Sequence, residues 1–163
     1  SSDLYKDKNA IVFDIGGLNV NVSSYKSRIS ELDKLIVCNK GINILSSTLA
    51  EELSTRYGII LDDGISEDVL KEKVLYINGQ PNNDSADFIK SIIKDHITEI
   101  INYSKSQGCS PFNTNADVIF TSGGSILLAE NILSMYPTVI IDTDNQFSNC
   151  LAFLNIGVIK LGQ

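Results

Sequence analysis

Residues 9–25, NAIVFDIGGLNVNVSSY, decide how the chain is read. An apolar run rich in β-branched residues ends on Asp14, two glycines follow, and a second alternating run begins at Leu18. β-branched and aromatic residues favour a pleated strand and a glycine pair permits a tight reversal, so the segment predicts a hairpin turning at Gly16 and Gly17. Such a turn can expose successive N–H groups to anions, and a carboxylate at a strand end can orient a hydrated cation. A structural hairpin with a capping aspartate and half of a phosphate site are therefore both open.

Working outward, LDKLIVC (residues 32–38) predicts a third strand after a short polar connection, which gives an antiparallel meander. After Gly41 the period changes. Ile42, Leu45, Leu49, Leu53 and Tyr57 recur at three- and four-residue steps and predict an amphipathic helix ending at Gly58. Residues 59–83 hold a short helical candidate at 66–73, VLYI, and the turn-rich NGQPNND, and resemble an insertion. From Asp84 the series Phe88, Ile89, Ile92, Ile93, Ile97, Ile100 and Ile101 predicts a long helix with Asp84 or Ser85 as cap and Gly108 past its end. His96 falls on or beside that apolar stripe, where a hydrogen-bonded structural imidazole is the expectation.

ADVIFTSGG (116–124) then predicts a buried strand and a glycine turn, SILLAENILSMY (125–136) a helix starting at that turn, and TVIIDT (138–143) another buried strand. A final helix is expected over residues 146–161, with Gly157 near its end. A meander followed by alternating helices and strands implies an α/β fold with a mixed sheet and flanking helices.

The composition narrows the function. A net charge of −7 over 163 residues opposes direct binding to a phosphate backbone, which needs a clustered positive field. Lys71 and Lys73 are interleaved with Glu72 and suit a solvated helix face. Cys38, Cys109 and Cys150 are odd in number and widely spaced, which favours reduced thiols over a disulfide framework or a zinc site. No apolar run reaches the ~20 residues that span a bilayer, so no membrane is expected and a cytoplasmic location is.

The second glycine turn lies between a strand and a helix, where backbone N–H groups and glycines let a ligand approach. With both turns in view, a resemblance emerges. VFDIGGLNVNV resembles the second phosphate motif of the actin, Hsp70 and sugar-kinase ATPase superfamily, and VIFTSGGSILLAENI resembles its adenosine motif. DNQFSNCLAFLNIGV is similar to the closing helix of plasmid-segregating bacterial actins of the ParM type. The motifs cover both ends of the chain in the family's order.

The resemblance implies an actin-like ATPase (ribonuclease H-like) lobe, with residues 1–40 and 84–163 as a subdomain IIA-like core and 41–83 as a small helical, subdomain IIB-like insertion. It makes Asp14 the catalytic carboxylate, holding Mg2+ through water, and Gly16, Gly17 and Asn19 the loop at the β- and γ-phosphates. Gly123, Gly124 and Ser125 would line the adenosine side, and Glu52, less directly Glu51, would reach the ribose. Many relatives have threonine and aspartate where Asn19 and Asn21 stand here. An amide supplies no charge to a cation, so Asp14 carries more of the metal handling.

DIGG occurs once, and the first strand starts close to the beginning of the chain. The chain thus resembles the C-terminal half of a longer protein. The implied partners are an N-terminal lobe of the same parent, further copies in a filament, and DNA only through an adaptor, with ATP or GTP and Mg2+ as cofactors. A monomeric sugar-kinase or Hsp70-like lobe and a non-hydrolysing actin-fold scaffold are the alternatives.

Overall fold

The computed structural model describes residues 9–26, 29–30 and 35–145. Its central strand is β1 (Ala10–Ile15), flanked by antiparallel β2 (Val20–Lys26) on one side and parallel β7 (Asp117–Thr121) on the other. Two short strands, β3 (Ile29–Ser30) and β4 (Ile36–Cys38), both pair antiparallel with β2; β4 falls within the expected third strand, whose residues 32–34 lie outside the described residues. β8 (Ile140–Ile141) runs parallel to β7, so that the described residues form a six-stranded mixed sheet. It is shorter than TVIIDT suggested.

Alternation along β1 divides the core between the faces of the sheet. Ile11, Phe13 and Ile15 join the main apolar cluster, whereas Ala10 and Val12 are buried with Tyr25 and Ile119 in a second one. The main cluster takes Leu45, Leu49 and Leu53 from α1 (Ile42–Tyr57), Val69 and Leu70 from α2 (Asp63–Glu72), and Ile89, Ile93, Ile97 and Ile100 from α3 (Asn83–Ser106). Leu75 of β5 (Leu75–Ile77) belongs to it as well; β5 forms a separate hairpin with β6 (Gln80–Asn82). A single cluster therefore joins the sheet to the segment between β4 and α3.

α1 has the expected bounds. Gly58 ends it in the left-handed region at φ +64, which glycine enters without a Cβ clash. α2 starts earlier than expected because the Asp62 carboxylate caps it, accepting from the Ile65 N–H at 2.8 Å. α3 is capped by Asn82 rather than Asp84 or Ser85. The Ser85 hydroxyl is already committed, donating to the Asn82 carbonyl at 2.6 Å and accepting from the Leu75 N–H at 2.9 Å. His96 on α3 is buried, with Nε2 2.9 Å from the Lys40 carbonyl, and burial is the main cause pushing its pKa down. Beside it Lys40 pairs with Glu99 at 2.6 Å, so the link from β4 into α1 is anchored on α3.

The helix expected from Ser125 begins sooner and is broken. α4 (Ser122–Leu127) contains both glycines, and α5 (Ala129–Met135) follows a break at Leu128. The helix expected over residues 146–161, with Cys150 and Gly157, lies outside the described residues. Among the described residues Cys38 and Cys109 are free thiols, and no helix is long and apolar enough to cross a membrane.

Candidate functional site

β1 and β7 are parallel, so their carboxyl ends meet at one edge of the sheet, the usual place for a ligand crevice in such folds. In this register Phe13 and Phe120 face one another across the pair, stacked with ring centres 4.9 Å apart. One residue further on, Asp14 stands opposite Thr121 on one side and Asn21 on the other. The expected carboxylate is therefore at the strand end, half-buried, beside the second glycine turn.

The turn after β1 is held from behind. The Gly16 N–H donates to the Asn19 carbonyl at 2.9 Å. The Gly16, Gly17 and Leu18 carbonyls accept from the N–H groups of Ile42 at 3.0 Å, Asn43 at 2.9 Å and Gly41 at 3.2 Å. The first N–H groups of a helix have no intrahelical partner, and here the turn supplies one for those of Gly41, Ile42 and Asn43. With its carbonyls directed into α1, the turn leaves the N–H groups of Gly17, Leu18 and Asn19 without a bond to any other described residue. These three residues are exposed.

The second turn divides the roles of its glycines. Gly123 is exposed, and a Cβ there would meet nothing within 4 Å. Gly124 is buried, and a Cβ there would lie 2.5 Å from Ile15 Cγ2, 2.6 Å from the Ile15 carbonyl oxygen and 2.9 Å from Ile42 Cγ1. Gly124 is thus the close-packing contact between α4, the end of β1 and the start of α1. Ser125 is also buried, its hydroxyl donating to the Thr121 carbonyl at 2.5 Å. Asp14, Gly16, Gly17, Asn19, Gly123 and Gly124 are brought to one edge. Glu51 and Glu52 are exposed on α1, and Glu52 stands roughly 15 Å along the helix from Ile42 at the usual rise per residue.

Four residues at this edge were not singled out from the sequence. Gly41 and Asn43 hold the first turn; Ser122 donates its hydroxyl to Asp14 Oδ1; Thr121 donates to Asp142 Oδ2 at 2.8 Å. Asp14 Oδ2 carries no bond to another described residue. Unpaired amides, an open glycine and one available carboxylate oxygen suit phosphate oxygens and a hydrated cation. Mg2+ keeps much of its water shell and binds through one or two carboxylates plus phosphate, so a single aspartate is a sufficient protein contribution.

No protein-family model matches the sequence, and neither does any curated protein. Solved structures do match. An archaeal actin homologue superposes with a TM-score of 0.71 at 16% identity, covering 94% of this chain and 49% of its own. It has also been solved in complex with ADP. A 15-stranded ParM filament from Clostridium botulinum gives 0.69 at 18% identity, covering 96% of this chain and 47% of its own. The Alp12 filament gives 0.65 at 23%, covering 96% and 49%. At these identities the likeness is one of fold: the chain has the actin-like fold seen in ParM and spans about half the length of the structures it matches.

Proposed function

We propose that this chain is the nucleotide-binding lobe of a filament-forming, actin-like ATPase that acts in plasmid segregation. The observation carrying the proposal is the meeting of Asp14, the exposed turn Gly17–Asn19 whose amides bond to no other described residue, and open Gly123 at the carboxyl ends of β1 and β7. Two of the matching structures are filaments and one holds ADP, which supports self-association and nucleotide binding in proteins of this fold.

In this reading residues 1–40 and 84–163 form the IIA-like core and 41–83 the IIB-like insertion. The amides of the first turn receive phosphate oxygens of ATP or GTP, Gly123 lets the nucleotide approach β7, and Asp14 holds a water of hydrated Mg2+. When bound, the cation neutralises charge on the phosphates. Glu52 faces the ribose from α1. A second lobe of the parent closes the cleft, the location is the cytoplasm, and DNA is reached through an adaptor, since a net charge of −7 opposes direct contact.

The lobe alone and the intact parent are expected to differ. A micromolar parent has ~−8 kcal/mol of binding free energy, and half of that corresponds to about millimolar affinity. Titrating the isolated chain with Mg-ATP should shift the amide resonances of Gly17, Leu18, Asn19 and Gly123 in the millimolar range, with no turnover and no pelleting. Nucleotide-dependent pelleting of this chain alone would overturn the half-site reading. For the intact parent, nucleotide titration with phosphate release and light scattering separates the alternatives. Hydrolysis without scattering indicates a monomeric kinase-like enzyme; scattering without hydrolysis indicates a scaffold.

The two glycines provide a second test. Gly123→Val places a side chain in the open space before the turn, and should weaken nucleotide binding about tenfold or more with little change in Tm. Gly124→Val drives a branched side chain into the Ile15 backbone, and should cost ~3 kcal/mol or more of stability. Calorimetry and urea denaturation on the same variants read the two effects separately. Equal affinity in Gly123→Val would remove that glycine from the site.

A further inference from the structure

We propose that Ser122 is the positioning residue for Asp14: its hydroxyl fixes one carboxylate oxygen, so that the other is presented to the nucleotide side. The inference rests on the nucleotide reading of the site for its consequence, but not for its geometry.

Ser122 is the first residue after β7 and has φ +77, a left-handed conformation that L side chains rarely adopt. Glycine would take it without a Cβ clash, and glycine occupies the next two positions, yet residue 122 is serine. The register explains what the conformation does. Residues opposite one another in a sheet point to the same face, so Asp14 shares the face of Thr121. In continued strand geometry Ser122 would point to the other face, away from Asp14. The left-handed turn brings the Ser122 side chain back, and its Oγ–H donates to Asp14 Oδ1.

The neighbouring hydroxyl acts in parallel. Thr121 Oγ1 donates to Asp142 Oδ2 at 2.8 Å, just past the end of β8. Two consecutive hydroxyls thus each hold a carboxylate at the end of an adjacent parallel strand. Asp142 is thereby tied to the end of β7, while Asp14 keeps Oδ2 without a bond to any other described residue. A carboxylate with one oxygen held cannot rotate freely about χ1 and χ2. It presents its second oxygen in one direction, and such preorganisation raises turnover rather than ground-state affinity.

Ser122→Gly and Ser122→Ala both remove the hydroxyl, but only glycine also relieves the backbone strain. Three-bond couplings about χ1 of Asp14, measured on the 163-residue chain without nucleotide, should report one rotamer in the wild type and averaging in both variants. Tm should stand higher in Ser122→Gly than in Ser122→Ala. In the intact protein both variants should lose about tenfold or more in kcat, with KM changed less than threefold. A single Asp14 rotamer in Ser122→Gly overturns the proposal whatever hydrolysis does. So does hydrolysis that falls only in Ser122→Ala, in step with its stability. A wild-type parent that binds no nucleotide defeats the nucleotide reading instead, and the rotamer measurement still decides whether Ser122 positions Asp14.

Discussion

Asp14→Asn in the intact protein is expected to reduce nucleotide hydrolysis by ~100-fold or more while leaving the fold and ATP binding largely in place, the scale of a lost electrostatic catalytic element. Asparagine has nearly the same shape, and its Oδ1 can still accept from the Ser122 hydroxyl, so the packing at the strand end survives. What disappears is the negative charge. The residues opposite Asp14 in the register, Asn21 and Thr121, carry no charge to replace it. In the proposed function nucleotide affinity depends mainly on the turn amides, and the turn is held by α1 rather than by Asp14. Phosphate release and equilibrium binding, measured on the same preparation, check both halves. Unchanged phosphate release would refute the catalytic role. A purely structural Asp14 would instead give a loss of about 1 kcal/mol in stability with activity retained.

The parts of the fold that were legible in sequence are those whose determinants are local. α1 was bounded correctly because Leu45, Leu49 and Leu53 recur on one face and Gly58 can enter the left-handed region at its end. The start of α3 was displaced because Asn82, Asn83, Asp84 and Ser85 are all capable caps. The choice among them depends on Leu75, which engages the Ser85 hydroxyl from another element. The glycine pair at 123–124 looked like a turn, yet it is helical: Ser122 alone makes the left-handed reversal, and the glycines serve close packing and open space.

The site divides in the same way. Asp14, Gly16 and Gly17 could be singled out because the carboxylate and its turn are contiguous and together resemble a phosphate motif, although the run by itself left a structural hairpin equally open. Ser122 and Gly41 could not. Ser122 acts on Asp14 across 108 positions of sequence, and Gly41 acts on Leu18 through a register that only the assembled hairpin and helix define. An isolated serine before two glycines, or a glycine before a helix, carries no sign of such a partner.

Gly41→Ala is expected to cost ~2–4 kcal/mol of stability and to displace the first turn, because the added Cβ would strike backbone on the facing segment. It would lie 2.6 Å from the carbonyl carbons of Gly17 and Leu18 and closer still to the Gly17 oxygen. The origin of this cost is contact and not conformation. Gly41 has φ −71 and ψ −176, an extended backbone open to any residue. Gly58→Ala is the complementary control: at φ +64, with nothing within 4 Å of a Cβ, its cost is conformational, about 1 kcal/mol. The two variants should separate in binding as well. Gly41→Ala can relieve the clash only by moving the turn off α1, which breaks the bonds from Gly41, Ile42 and Asn43 to the Leu18, Gly16 and Gly17 carbonyls. Freed carbonyls would then compete for the face that the amides present, so nucleotide affinity should fall tenfold or more. Gly58→Ala should leave it unchanged. Urea denaturation with nucleotide titration on both variants measures the separation. Wild-type stability in Gly41→Ala would mean that α1 does not hold the turn, and the proposed use of the Gly17, Leu18 and Asn19 amides would then lack its physical support.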